Sequence, residues 1–268
     1  MTKTILITGA GSGFAEAAAI GMAQAGHNII ATAQISPQVA ALREKVAKLG
    51  LDNLRVEKLD LTDPYDMTFI ETFDVDILWN NAGYGESGPV SEIPLDLVRK
   101  NYEINVFKPL ELTQAFIKRW VATSGKGKKI VFTSSMGGLF TPAGWGTYVS
   151  TKHALESIAE AIAQEVTPFG IKVQMINPGA YYTGYNETMA DTAFRWLDAD
   201  KNFTNPADLR ATFDALLASP MGHMDAQEQI DRMIAIVPAD TGKVRNVSPK
   251  AVEDMLKEAQ AAAWDAEI

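Results

Sequence analysis

Tyr148 and Lys152 stand four residues apart, and Ser135 lies thirteen positions before the tyrosine. On a helix, residues i and i+4 share a face, so the ammonium can sit beside the phenol and stabilise its anion. An unperturbed phenol titrates near 10, and bringing it to about 7 requires roughly 4 kcal/mol of preferential stabilisation of the phenolate. Such a tyrosine is a usable acid or base. A carbonyl that receives hydride gains negative charge on its oxygen, and that oxygen needs a proton donor and a second hydrogen-bond donor. Tyr148 and Ser135 are of the right type for the two roles.

A second group of residues points to what could deliver the hydride. The segment Thr8–Phe14 reads TGAGSGF, after the strand-like Thr4–Thr8 and before the helical pattern Ala15–Ala25. Gly9, Gly11 and Gly13 there permit a tight turn that aims backbone N–H groups outward, with Ser12 and Phe14 beside them. The start of the following helix adds partial positive charge, so the turn is a seat for a pyrophosphate. Strand, glycine turn and helix in this order are the dinucleotide-binding pattern. Together the two groups predict transfer of hydride between a nicotinamide and a carbonyl compound.

The elements that must position these residues alternate short apolar runs with helical patterns. Predicted strands are Thr4–Thr8, Asn28–Ala33, Leu54–Leu59, Val75–Asn80, Lys129–Ser134 and Lys172–Ile176. Between the second and third, Ser36 is predicted to cap a helix that begins at Pro37 and stops at Gly50. Repeated βαβ units with right-handed crossovers make an α/β fold, a doubly wound parallel sheet with helices on both faces. Ser135 then falls at the carboxyl edge of the sheet, where such a fold opens its crevice, and the period of two aims its rival Ser134 to the opposite side. Residues 1–268 are expected to form one domain. Regularity fades after Pro178, and residues 184–245 are predicted to be a small helical cap over the substrate. Pro249–Ala266 reads as a terminal amphipathic helix.

Composition narrows the function classes. Of 268 residues, 47% are hydrophobic and 21% charged, enough for a substantial core. The absence of cysteine removes disulfides, thiolate nucleophiles and cysteine-ligated metals. A formal charge of −9 argues against nucleic acid as a partner. Histidines stand only at 27, 153 and 223, without metal-ligand spacing, so no metal is expected. Met1 leads directly into a strand, and no apolar run approaches the roughly 20 residues of a membrane span. A cytoplasmic protein acting on a small molecule, with no membrane partner, is the expectation.

These motifs resemble those of the short-chain dehydrogenase/reductase family over residues 4–183 or thereabouts. The resemblance implies a single Rossmann-type domain and an NAD(P)-dependent alcohol dehydrogenase or carbonyl reductase. The family pattern TGxxxGxG aligns with Thr8, Gly9 and Gly13 but meets Ala15 where its last glycine belongs, and the added methyl is expected to push the helix slightly outward. Asp60, with Leu61 beside it, matches the adenine contact, and Asn81, Ala82 and Gly83 match the Asn–Ala–Gly turn after the fourth strand. Asn105 matches the catalytic asparagine, and Pro178, Gly179 and Thr183 match the segment near the nicotinamide carboxamide. The thirteen-residue spacing selects Ser135 over Ser134. By the same resemblance Lys152 lowers the pKa of Tyr148 and holds nicotinamide-ribose hydroxyls, while Asn105 orders a water that links Lys152 to solvent. A homodimer or homotetramer is implied, although the tail lacks the glycine-rich ending of tetrameric members.

Choice between NAD and NADP is set at the end of the second strand by a carboxylate or a cation. Ala33 and Gln34 stand there instead. Gln34 suits a neutral ribose, which leans towards NAD, unless Arg43 or a lysine reaches back to a phosphate. Met136, Phe140, Trp145, Tyr181 and Tyr182 flank the catalytic positions and predict an apolar pocket for a bulky ketone or secondary alcohol. Two other readings stay open: a dinucleotide-sensing protein without turnover, motivated by Ala15 and Gln34, and a halohydrin lyase-like relative that needs no nicotinamide. The second would fill the glycine turn with bulky groups.

Overall fold

The computed structural model describes residues 1–220, 222 and 224–267, so His223 lies outside the described residues. Among these residues seven strands form one sheet: β1 (Thr4–Ile7), β2 (Asn28–Ala33), β3 (Leu54–Lys58), β4 (Ile77–Asn80), β5 (Lys129–Thr133), β6 (Lys172–Pro178) and β7 (Arg245–Ser248). Their order is β3-β2-β1-β4-β5-β6-β7, and every neighbouring pair is parallel. Among the described residues the α-helices are α1 (Gly13–Gln24), α2 (Ser36–Leu49), α3 (Pro64–Met67), α4 (Leu95–Tyr102), α5 (Lys108–Thr123), α6 (Gly146–Val166), α7 (Tyr185–Ala190), α8 (Pro206–Leu217), α9 (Ala226–Ile236) and α10 (Lys250–Ala262).

Side-chain alternation along the strands divides the core in two. Ile5, Ile7, Ile77, Trp79 and Val131 face one way, into a cluster with Ala18, Met22 and Leu42 of α1 and α2. Leu6, Leu78, Ile130 and Phe132 face the other way, against Leu112, Phe116 and Trp120 of α5 and Leu155 and Ile162 of α6. Trp79, Phe116 and Phe132 are fully buried, each contributing on the order of 2–3 kcal/mol of apolar transfer. This is the doubly wound sheet with helices on both faces that the alternating pattern predicts.

Several predicted boundaries move. The β1, β3 and β5 strands each end one residue early, and β4 begins two residues late, at Ile77. Ser36 is not the cap of α2: the cap position is Ile35, whose carbonyl accepts from the N–H groups of Gln38 and Val39. The predicted terminal helix is α10, which gives way to a 3₁₀ turn at Ala263–Asp265.

The segment 184–245 divides. The helices α7 and α8 join the cluster of Trp145, Tyr148, Met189 and Phe213 above the sheet's carboxyl edge. By contrast, α9 places Met233 in the core cluster shared with α1 and α2. Among the described residues no helix is long and apolar enough to cross a membrane.

Candidate active site

Chain connections leave β1 and β4 in opposite directions, and a crevice opens at the carboxyl ends of the strands, as the topology requires. The crevice is a cleft of about 730 Å³ that runs from Gln34 and Asp60, past the glycine turn, to Ser135, Tyr148 and Lys152.

The glycine turn is built by two kinds of glycine. Gly9 has a φ of 67°, and a β-carbon on it would stand 2.7 Å from the Cα of Ala82. Backbone closeness therefore demands glycine there. Gly13, with φ 63°, would project a β-carbon into open space. Ser12 takes the cap position of α1 without a side-chain hydrogen bond, which leaves the first N–H groups of that helix to a ligand. Ala15 is 1% exposed and belongs to the core cluster. Gly9→Ala is expected to destabilise the fold by about 2–4 kcal/mol, through left-handed strain and the backbone clash. Gly13→Ala should lose only about 1–2 kcal/mol of stability but weaken dinucleotide binding; chemical denaturation and cofactor titration of the pair would separate the two effects.

A chain of hydrogen bonds holds the neighbouring loop. Trp79 Nε1 donates to Thr133 Oγ1 (2.8 Å), which donates to Asn81 Oδ1 (3.1 Å). Asn81 Nδ2 in turn donates to the carbonyls of Thr8 and Gly9 (3.2 and 3.3 Å). The N–H groups of Asn81 and Ala82 donate to Thr8 Oγ1, each at 3.0 Å. The Asn81 side chain is thus bonded to the turn, and Asn81, Ala82 and Gly83 all line the cleft.

At the far end, Gln34 Nε2 donates to Asp60 Oδ2 (3.1 Å), and Thr62 donates twice to Oδ1 (2.9 and 2.7 Å). Burial raises the Asp60 pKa, but these bonds and nearby Lys58 outweigh it and hold the carboxyl below its ordinary range. Leu61 lies beside it on the wall. Arg43 is turned away, donating through Nε and Nη2 to the carbonyl of Val56 (3.0 and 2.7 Å).

At the near end, Ser135 is extended and its Oγ accepts from Gly137 N–H (3.0 Å). The Tyr148 side chain lies beside those of Ser135 and Tyr185, and both pull its pKa down. The Tyr185 ring lies 5.9 Å from that of Tyr148. Ser134 is the buried rival, its Oγ unpartnered among the described residues. Lys152 lies on the same face of α6, with Nζ 5.6 Å from the Tyr148 ring centroid and donating to Thr133 O (2.9 Å).

Burial pushes Tyr148 up to about 12, against the pull of the neighbouring Ser135 and Tyr185 side chains. Burial likewise pushes Lys152 down to about 8, with Glu156 pulling the other way. Desolvation disfavours both charged forms.

Asn105 sits in a π-helical turn, Glu103–Phe107, between α4 and α5. Its Nδ2 donates to Tyr84 O (2.7 Å) and Thr151 Oγ1 (3.0 Å), while its Oδ1 accepts from Tyr84 N–H (2.8 Å). A β-carbon on Gly83 would lie 3.6 Å from Asn105 Oδ1 and 3.7 Å from Lys152 Nζ, so both polar atoms face one small space. Gly179 N–H donates to Ser248 O (2.8 Å), and Pro178, Gly179 and Thr183 all line the cleft.

Of the five aromatic and Met positions predicted for the substrate, only Tyr181 reaches the cleft wall, edge-on to Phe14 with centroids 5.6 Å apart. Met136 and Phe140 pack on Val247, Val252 and Leu256 instead, because β7 and α10, one of them unpredicted, cover that side. Trp145 is buried behind Tyr148 against Phe213 (4.8 Å), and Tyr182 is 59% exposed. The wall near Tyr148 is made by Tyr84, Lys100, Ile104, Tyr185, Met189 and Arg195. Tyr84 could have been found from its place after the Asn–Ala–Gly turn. The others carry no periodic or motif signal.

The short chain dehydrogenase family profile matches residues 3–193. The uncharacterized oxidoreductase YusZ of Bacillus subtilis is 34% identical over 187 residues, 68% of this chain and 66% of that protein, just under two thirds of its length. A 3-ketodihydrosphingosine reductase of Bacteroides thetaiotaomicron is 29% identical over 232 residues, 81% of this chain and 84% of its own. The crystal structure of a short-chain dehydrogenase from Streptomyces avermitilis superposes with a TM-score of 0.78 at 28% identity, covering 99% of this chain and 94% of that one.

Proposed function

This chain belongs to the short-chain dehydrogenase family of oxidoreductases, and from that premise we propose that it moves hydride between NAD(P) and a ketone or secondary alcohol. The observation that carries the reading is the Tyr148 side chain, beside Ser135 and flanked by Lys152, at one end of a cleft whose middle is the glycine turn. The residues fit a dinucleotide: open space at Gly13, uncapped N–H groups at the start of α1, and Gln34 and Asp60 beyond them. When bound, the nicotinamide supplies or accepts the hydride.

The chain's own groups do the rest. Tyr148, protonated at neutral pH, donates to the substrate oxygen, and Ser135 donates the second hydrogen bond. Lys152 holds ribose hydroxyls and, by its charge, favours the phenolate once the proton has left. A water in the space shared by Asn105 and Lys152 beside Gly83 would return that proton from solvent. The open turn at Gly13 favours this reading over a lyase that uses no nicotinamide.

With Gln34 bonded to Asp60, Arg43 committed to Val56 and Lys58 to Asp66, no cation lines that end of the cleft among the described residues, which supports NAD as the better cofactor. Thermal-shift titration with NAD, NADH, NADP and NADPH, followed by absorbance at 340 nm with a ketone and alcohol panel, tests both points. At about 100 times Kd a ligand stabilises by about 2.7 kcal/mol, so NAD or NADH should raise the midpoint by several degrees and NADP by less. No shift with any of the four at millimolar concentration would refute the proposal.

A further inference from the structure

Two cations stand at the substrate end of the cleft without acidic partners. Lys100, on α4, places Nζ 4.4 Å from the centroid of the Tyr84 ring. Arg195, in the 3₁₀ turn after α7, reaches the same wall from the cap side and lines the cleft with Lys100, Tyr84, Ile104 and Met189. Neither side chain makes an ion pair or hydrogen bond among the described residues, in contrast to the cap's Arg210 and Lys201, paired with Asp191 (2.8 Å) and Asp198 (2.7 Å). The nearby carboxylate, Glu86, is buried and takes the Tyr84 hydroxyl. Asp60, the acidic residue on the cleft wall, lies at the opposite end, beside Gln34.

We propose that the substrate is an acid: a ketone or secondary alcohol whose apolar body lies along Ile104 and Met189 and whose carboxylate is held by Arg195 and Lys100. A chain of net charge −9 repels such a molecule at long range, so a local pair of cations is what a carboxylate needs to be captured. Arg195 offers the planar fork that a carboxylate accepts in bidentate fashion, and Lys100 adds a point charge from the other side. The pair adds two charges to the wall of a pocket that the sequence predicts to be apolar. This inference rests on the hydride-transfer reading for the identity of the substrate's other end, but the two can fail separately.

Binding without turnover separates them. Straight-chain carboxylates of four to twelve carbons and their matching primary amides would be titrated by calorimetry into the protein, with and without saturating NAD. At one chain length or more the carboxylate is expected to bind about tenfold more tightly than its amide, and the ratio should fall within about twofold in the Arg195→Gln/Lys100→Gln double variant. A wild-type ratio below about twofold at every length, no measurable carboxylate binding, or a preference that survives in the double variant would overturn the assignment. So would a parallel loss of NAD affinity, which would give the two cations to the cofactor's phosphates. NAD binding itself reports on the hydride-transfer reading and leaves the acid-to-amide ratio as an independent result.

Discussion

Tyr148→Phe is expected to lower kcat about 10³-fold while leaving the dissociation constant for NAD within about threefold. General acid catalysis by a positioned side chain is worth about 10²–10⁴, and this hydroxyl is the proton donor we propose for the hydride transfer. Its environment supports the assignment: burial pushes the phenol up to about 12, so at neutral pH it carries its proton and is ready to give it. The ring is retained in the variant, so packing against Trp145 and Val149 persists and stability should change by only about 1 kcal/mol. Tyr185, whose ring lies 5.9 Å from that of Tyr148, is the natural control. If the second phenol merely lies against the first, Tyr185→Phe should cost less than tenfold. Steady-state rates with any substrate the wild type reduces would decide the matter; a Tyr148→Phe enzyme within threefold of wild type would remove the phenol from the mechanism.

The parts of this molecule that could be read from residue order are those set by local physics. Six of the seven strands follow from apolar runs bounded by turn residues, because a strand buried on both faces must be apolar throughout. Four short residues, Arg245–Ser248, carry no such run, and β7 is a strand only because β6 offers its edge. The glycine turn, Ser135, Tyr148 and Lys152 were legible because each sits where one element ends or along one helix face. The substrate wall was not. Lys100 and Arg195 are brought together by α4 and the cap, elements distant in sequence, and Met136 and Phe140 turn away because the covering α10 demands their apolar surface. Nor could spacing alone give the pKa values. The i and i+4 relation predicts that Lys152 supports a phenolate, whereas burial of both groups decides the sign.

That burial makes Lys152→Met an expected stabiliser of the fold that destroys its chemistry. Lys152 is 3% exposed, and desolvation pushes it down to about 8 from its ordinary 10.5. A shift of this size corresponds to about 3 kcal/mol against the folded state. Methionine keeps most of the side chain's volume without the charge, but it leaves Thr133 O without the lysine's hydrogen bond, which offsets about 1 kcal/mol. A net gain of about 2 kcal/mol remains, or roughly 4–8 °C in Tm for a chain of this size. The sign of the pH dependence is definite. Below pH 8 the lysine is charged in both states and the folded state carries the whole penalty. Between pH 8 and 10.5 the folded state loses its proton while the unfolded state keeps it, so wild-type stability from this group rises with pH. The advantage of the variant should therefore be largest at pH 7 and shrink towards pH 10, while turnover falls by 10² or more because the phenolate and the ribose lose their cation. Urea denaturation of both proteins at pH 7 and pH 10 would check this: a variant less stable than wild type at pH 7, or an advantage that grows with pH, would show that the buried ammonium is stabilised by its surroundings rather than tolerated for its chemistry.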